Sequence, residues 1–310
     1  MDIHNLSAFI RVNEQNSFSK AAEQLFITQP AVSKRISALE AELNTRLFDR
    51  IGKHIQLTQA GQALLPSAYR ILAELEESKR AIGNLNENIS GRLCIATSHH
   101  IGLHRLPPVL RTFTHNYPEV DLDIRFMDSE EACHCVLKGE VELAIATLPE
   151  ARWPQLKSQI IWRDPLDIVI SSHHPLVMPG NTPGKMPEKI SGTNASASPA
   201  QLSISQLCEI PAILPSQNTF TRVLLENALG LNHKNLNIAM ETNYLETIKM
   251  MVSIGLGWSV LPVSMLTSDI TILNVSGVEF ERLLGVVSHQ QRTLSNAAKT
   301  LMAELEKNIR

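Results

Sequence analysis

From Leu64 onward, apolar or small residues recur in alternating steps of four and three: Leu64, Ala68, Ile71, Leu75, Ser78, Ile82, Leu85 and Ile89. A strand buries every second residue, and a helix packed on a globular core buries a broader band. This spacing therefore describes a long helix with a narrow seam. Glu74, Glu76, Glu77, Lys79 and Arg80 surround the seam, and only the small polar Ser78 interrupts it. Pairing of two such helices from two chains is the expected use, and packing on its own domain is the alternative. Pro66 should bend the helix near its start. Asn84, Asn86, Asn88 and Ser90-Gly91 then read as a fraying hinge. The helix divides the 310 residues into an N-terminal module 1–58, a linker helix 59–89 and a larger part 90–310.

In the N-terminal module, Leu6, Phe9, Ile10 and Asn13 predict an amphipathic helix over 3–14. Ser17 or Ser19 can cap a second helix through Ala21, Ala22 and Leu25, and Phe26-Ile27 ends it. Thr28 then opens a third helix. Pro30 sits in its first turn, where a missing N–H costs nothing. Val32, Ile36, Leu39 and Leu43 form one apolar stripe, and Gln29, Ser33, Lys34 and Ser37 lie opposite. Two short helices with a tight turn suit a helix-turn-helix, whose second helix reads base edges in the major groove. On spacing alone, a three-helix core with a solvated outer face fits equally well. Arg46, Arg50, Lys53 and His54 gather around Gly52, and residues 50–58 read as a short hairpin whose basic groups suit phosphate contacts.

The run FSKAAEQLFITQPAVSKRISALEAELNTRLFDR, followed by IQLTQAG, resembles the N-terminal signature of the LysR-type transcriptional regulators. Several elements agree over about sixty residues. They are Ala21-Ala22, the stretch from Thr28 to Ser33, Ile36 with Leu39-Glu40, Leu47-Phe48-Arg50 and Leu57-Thr58-Gly61. The resemblance implies a winged helix-turn-helix whose recognition face runs from Gln29 to Ser37. The expected DNA-binding set is Ser19, Thr28, Gln29, Pro30, Ser33, Lys34 and Arg35 at the groove, with Arg50 and Lys53 at the phosphate backbone. It also implies a homodimer through the linker helix and a homotetramer on one operator.

The larger part alternates strand and helix. Strand-prone runs at 93–97, 120–126 and 142–147 enclose helical patterns at 103–116 and 130–139. A second series follows at 167–171, 212–214, 222–228, 238–240, 247–254 and 258–262, with a closing helix at 295–307. Such alternation predicts parallel sheets covered by helices. The expected class is α/β with an all-α N-terminal part. Two lobes, about 92–162 with 267–310 and about 163–266, resemble the family's effector domain, which has the periplasmic-binding-protein fold. The segment ETNYLETIKMMVSIGLGWSVLPVSM resembles a late motif of that domain. The Pro, Gly, Ser and Asn-rich stretch 178–201 reads as a long surface loop.

In such folds ligands bind at the carboxyl ends of strands and at helix N-termini. That places the effector candidates at Ser98, His99, His100 and Ile101, at Thr147 and Leu148, at Ser171, and at Asn218 and Thr219. Each polar group there is also an ordinary cap. No arginine of the predicted cleft stretch other than nearby Arg105 is positioned to clamp a carboxylate. A small anion held by hydroxyls, imidazoles and backbone amides is the expected effector class.

Other chemistry is weakly signalled. His100 and His104 are four apart on a helical face, but no neighbouring carboxylate or cysteine completes a metal set, so no metal and no cofactor is expected. Cys133 and Cys135 are the alternative, as a thiol-based redox sensor, although side chains two apart on a helix diverge. Cys94 and Cys208 read as core. Gly255-Leu256-Gly257 is a lone G-x-G, and no nucleophile elbow, Walker-A run or H-E-x-x-H occurs, so an enzyme is not expected. Residues 1–92 carry 11 Lys and Arg against 10 Asp and Glu, so charge decides nothing about DNA. A solute-binding module without DNA binding is the remaining rival. No apolar run approaches the roughly 20 residues of a membrane helix, no signal pattern opens the chain, and four cysteines do not make a disulfide scaffold. A cytoplasmic protein without membrane contact is expected.

Overall fold

The structure, a computed structural model, describes residues 1–51, 54–85, 88–149, 153–177, 202–231, 236–275, 278 and 280–308. It divides into two compact units. One is Met1–Asn88 with the short segments Leu137–Glu140 and Gln291–Ser295, and the other is Ile89–Val136, Val141–Gln290 and Asn296–Arg310.

The first unit opens with helices α1 (Ile3–Gln15), α2 (Phe18–Gln24) and α3 (Gln29–Leu43). Each start has a side-chain cap. Asp2 accepts from the His4 amide, Ser17 from Lys20 and Thr28 from Ala31. Leu6, Phe9, Val12, Ala21, Val32, Ile36 and Leu39 are almost wholly buried in one core, each larger side chain contributing about 1.5–3 kcal/mol. The turn between α2 and α3 holds Phe26 in the left-handed region at φ 54°. Strands β1 (Phe48–Ile51) and β2 (His54–Leu57) pair antiparallel as the expected wing.

Helix α4 (Gln59–Gly83) starts from a Thr58 cap and runs through Pro66. The linker reading changes at both ends. Leu64, Leu65, Ala68, Tyr69 and Leu72 pack into the first unit's core, so the first half of the helix belongs to that module. The helix also stops at Gly83, which leaves Leu85 and Ile89 of the expected seam beyond it.

The second unit is built on strands β3 (Gly91–Thr97), β4 (Val120–Phe126), β5 (Leu143–Thr147), β6 (Leu156–Ser171), β7 (Ala212–Leu214), β8 (Ile238–Glu241), β9 (Ser259–Pro262), β10 (Ile270–Ile272) and β11 (Phe280–His289). Its helices are α5 (His99–His104), α6 (Leu106–Asn116), α7 (Ser129–Lys138), α8 (Ile204–Glu209), α9 (Phe220–Leu229), α10 (Leu245–Ser253) and α11 (Asn296–Lys307). The helix expected from 103 starts earlier and in two pieces, because Pro107 and Pro108 restart it after Arg105.

The main sheet is mixed rather than parallel. Strands β3, β4 and β5 are parallel, whereas β11 runs antiparallel to β5 and β6. The long strands β6 and β11 are the crossovers of a two-lobed body. The amino end of β6 pairs β11 beside β5, and its carboxyl end pairs β9 and β10. Ile270–Ile272 therefore pair in the second lobe, and Leu273 and Val275 join its core with Leu207, Leu225 and Trp258, so residues 270–275 move out of the expected first lobe. At the β6–β11 irregularity, a Cβ on Gly285 would stand 2.0 Å from the Gln159 carbonyl oxygen. The Gly-Leu-Gly run is likewise a packing device, since a Cβ on Gly257 would stand 2.3 Å from the Pro211 oxygen.

Candidate functional site: a groove-reading helix and an interlobe cleft

The outer side of α3 is accessible from its first turn. Thr28, Gln29, Pro30 and Lys34 are exposed, while Ser33 and Arg35 are half-buried. The Gln29 amide Nε2 donates to Ser33 Oγ at 2.9 Å, so the two polar groups are held as one surface. Ser19 is exposed in the first turn of α2. Lys53 and the side chain of Arg50 lie outside the described residues.

In the second unit, a cavity of about 50 Å³ lies where the lobes face each other. That is room for about four water-sized spheres. Ser98, His99, His100, Ser129 and Thr147 reach it from the first lobe, and Pro215, Thr219, Thr221, Asn243 and Leu245 from the second. The sequence expectation thus brings Ser98, His99, His100, Thr147 and Thr219 together. It does not bring Ile101, Leu148, Ser171 or Asn218 to the cavity wall. Ile101 and Leu148 are buried apolar side chains. Ser171 is buried at the end of β6, where its hydroxyl donates to the Ser253 carbonyl at 3.0 Å. Asn218 is exposed.

Arg282 is the cavity residue that sequence reasoning missed. It lies on β11, fully within the protein, and its Nε donates to Asp164 Oδ2 at 2.7 Å. Its Nη2 is buried and has no partner among the described residues. Burial pulls the guanidinium below its ordinary pKa, and Asp164 opposes that. An arginine opening the apolar run from Leu283 to Val287 was the available signal. The cavity thus has an arginine on its wall besides the nearby Arg105 that the sequence pointed to.

The neighbouring groups set the cavity's polarity. Burial, with Arg282 close by, pulls His100 down to about 4, so its imidazole is neutral near pH 7. The His99 ring lies 5.4 Å from that of Phe126 and 4.7 Å from that of Tyr244. Two carboxylates also face the cavity, and both are engaged across the lobes. Asp128 accepts from Asn243 Nδ2 at 2.6 Å, and Glu130 accepts from the Phe220 amide at the start of α9. Burial pushes the Glu130 carboxyl up, and the Phe220 amide pulls it back.

The cysteines are placed differently. Cys133 and Cys135 are buried in helix α7 within the first lobe's core. Burial pushes the Cys133 thiol up to about 12 and the Cys94 thiol up to about 11. Cys94 is half-buried and donates to Asp123 rather than packing as pure core.

The sequence profile of bacterial regulatory helix-turn-helix proteins of the lysR family matches residues 3–62. The profile of the LysR substrate binding domain matches 86–185 and 191–310. The chain belongs to the LysR family of transcriptional regulators. It binds DNA through the helix-turn-helix module, and its effector-binding domain is the two-lobed body. A probable RuBisCO transcriptional regulator of Trieres chinensis is 30% identical over 301 residues, which is 94% of this chain and 92% of that relative. An uncharacterized HTH-type transcriptional regulator of Azotobacter vinelandii is 65% identical over 108 residues, 35% of this chain and 75% of that one. Full-length CbnR solved with its target DNA has the same fold, with a TM-score of 0.58 at 20% identity over 100% of this chain and 99% of that one. Among the described residues of the regulator, no helix is long and apolar enough to cross a membrane.

Proposed function

We propose that this LysR-family regulator is controlled by a small anion, an inorganic oxyanion or a short carboxylate, bound in the interlobe cavity. The observation that carries this is Arg282, which lines the cavity and whose buried Nη2 has no partner among the described residues. An unpaired buried cationic donor is costly, and an anionic oxygen satisfies it with a charge-assisted bond. The Ser98 hydroxyl makes no capping bond to α5 and is free to donate to the same ligand. The cavity's small volume favours few atoms.

On the DNA side, Gln29, Ser33 and Lys34 read base edges, with Ser19, Thr28, Pro30 and Arg35 alongside and Arg50 and Lys53 on phosphates. The exposure of the α3 face supports this assignment, as does the solution of CbnR with its target DNA. Two chains pair through α4, and two pairs make a homotetramer. Ile71 and Ile82 are 37% and 69% exposed on that helix, apolar surface that a partner helix would cover. The protein works in the cytoplasm, where its operator lies.

A thermal-shift series on the full chain tests the effector class, using inorganic phosphate, sulfate and short mono- and dicarboxylates. At a hundredfold excess over Kd a ligand stabilises by about 2.7 kcal/mol. At least one anion should raise Tm, and Ser98→Ala should weaken it. No shift from any anion, together with a shift from a neutral or cationic metabolite, contradicts the anion assignment.

A further inference from the structure

We propose that His100, His104 and Glu246 form a binding site for a divalent transition-metal ion of the zinc type, joining the two lobes. His100 and His104 stand one turn apart on α5 in the first lobe, and Glu246 is in the first turn of α10 in the second. The sequence showed the histidine pair without a carboxylate. Folding supplies one from 142 residues away.

The geometry is close to what an ion requires. His104 Nε2 is 2.7 Å from Glu246 Oε1, and His100 Nδ1 is 3.9 Å from the same oxygen. All three ligand atoms lie within 4.8 Å of one another. A tetrahedral ion with bonds near 2.0–2.1 Å holds its ligand atoms about 3.3 Å apart. Bringing the wider pairs in by up to about 1.5 Å and opening His104–Glu246 by about 0.6 Å completes the set, leaving a fourth position for water.

A His–Glu pair on a surface is by itself ordinary. His100 makes this one different. Its side chain is 5% exposed, and neither ring nitrogen has a hydrogen-bond partner among the described residues. A buried neutral imidazole carries one N–H and one lone pair, and leaving both unmet is unfavourable. A metal ion meets the lone pair that faces Glu246. Arg282 opposes a second cation here, but Asp164 matches its charge and Glu246 brings a negative charge to the ion itself. Two imidazoles and one carboxylate suit zinc or cobalt and not magnesium, which prefers oxygen-only octahedral sites.

Cobalt provides the test because tetrahedral Co²⁺ absorbs visibly. Tag-free full-length protein, stripped with chelator and dialysed, is titrated with cobalt chloride. The expected result is an absorption band saturating at one ion per chain, abolished by zinc chloride and untouched by magnesium chloride. His104→Ala and Glu246→Gln should each weaken cobalt binding at least roughly tenfold. Both side chains are about two-fifths exposed, so these variants keep the fold. A band unchanged in both variants, a thiolate charge-transfer band, or no saturable band in the parent protein would each overturn the site. Metal alone is the probe, so the result is independent of the effector assignment.

Discussion

Arg282 and Asp164 face each other across the β6–β11 ladder, with the guanidinium Nε 2.7 Å from the carboxylate Oδ2. Asp164 is 1% exposed and Arg282 6%, and Arg105 reaches the other carboxylate oxygen at 3.3 Å. The pair sits on the two strands that cross between lobes, and the same arginine lines the cavity, its buried Nη2 without a partner among the described residues. One side chain thus both pairs the crossover strands and lines the cavity.

Removing one partner of this pair should be far worse than removing both. Arg282→Ala leaves a buried carboxylate with only the longer Arg105 contact, a change that typically costs about 3–5 kcal/mol. Arg282→Met combined with Asp164→Leu should recover most of that loss in urea unfolding, since well-packed apolar replacements of buried pairs are often neutral. Equal losses in the single and double variants would contradict this.

The Gln29–Ser33 pair should carry base discrimination. Gln29→Ala or Ser33→Ala is expected to reduce preference for the operator over a mismatched site by about 1–3 kcal/mol, with little change on random DNA. Competition gel shifts measure it. Equal weakening on both DNAs would make these residues general phosphate or packing groups.

Phe26 is a strained position. It holds φ 54° while its side chain is 95% exposed, so it gains little packing in return. The left-handed conformation costs about 1–2 kcal/mol in an ordinary residue. Phe26→Gly should therefore stabilise the fold by about 1 kcal/mol in thermal unfolding, reduced somewhat by glycine's larger unfolded-state entropy. A destabilised variant would show that the ring is in use.

The thiols should be inert near neutral pH. With Cys133 at about 12, its thiolate is about a thousandfold scarcer at pH 7 than that of an ordinary thiol, and burial adds a physical block. Mild peroxide should leave the thiol count and operator binding unchanged. The unfolded chain loses the Cys133 proton first as pH rises. The folded state then binds more protons, and stability falls as pH climbs from about 8.5 toward 12. Cys133→Ala should flatten that limb. Rapid peroxide consumption of Cys133 and Cys135 that alters DNA binding would restore the redox alternative.

The legible parts of the sequence were those encoded locally. Val32, Ile36 and Leu39 report one face of one helix, and Thr28 and Thr58 report where helices begin, so the first unit could be read in order. The long strands were harder. Pro165 interrupts β6 and Gly285 interrupts β11, which leaves neither strand a clean alternation. The site depends on pairs far apart in sequence. Asp164 and Arg282 are separated by 118 residues, and His104 and Glu246 by 142. Helix and strand periodicity carries no information about such pairs. The strand-end rule found Ser98, His100 and Thr147 but could not tell that Ser171 would spend its hydroxyl on Ser253.

The most direct test of the account is ligand-dependent operator binding by the full chain. Duplexes selected from a random library are labelled, and their affinity is followed by fluorescence anisotropy with and without the anion that raises Tm. The selected duplex should be preferred over random DNA, with a change of about 5–150-fold in affinity when the anion saturates, the usual range of allosteric coupling. Ser98→Ala should shift that response to higher anion concentration. Equal affinity for selected and random DNA, or an unchanged operator affinity at saturating anion, would contradict it.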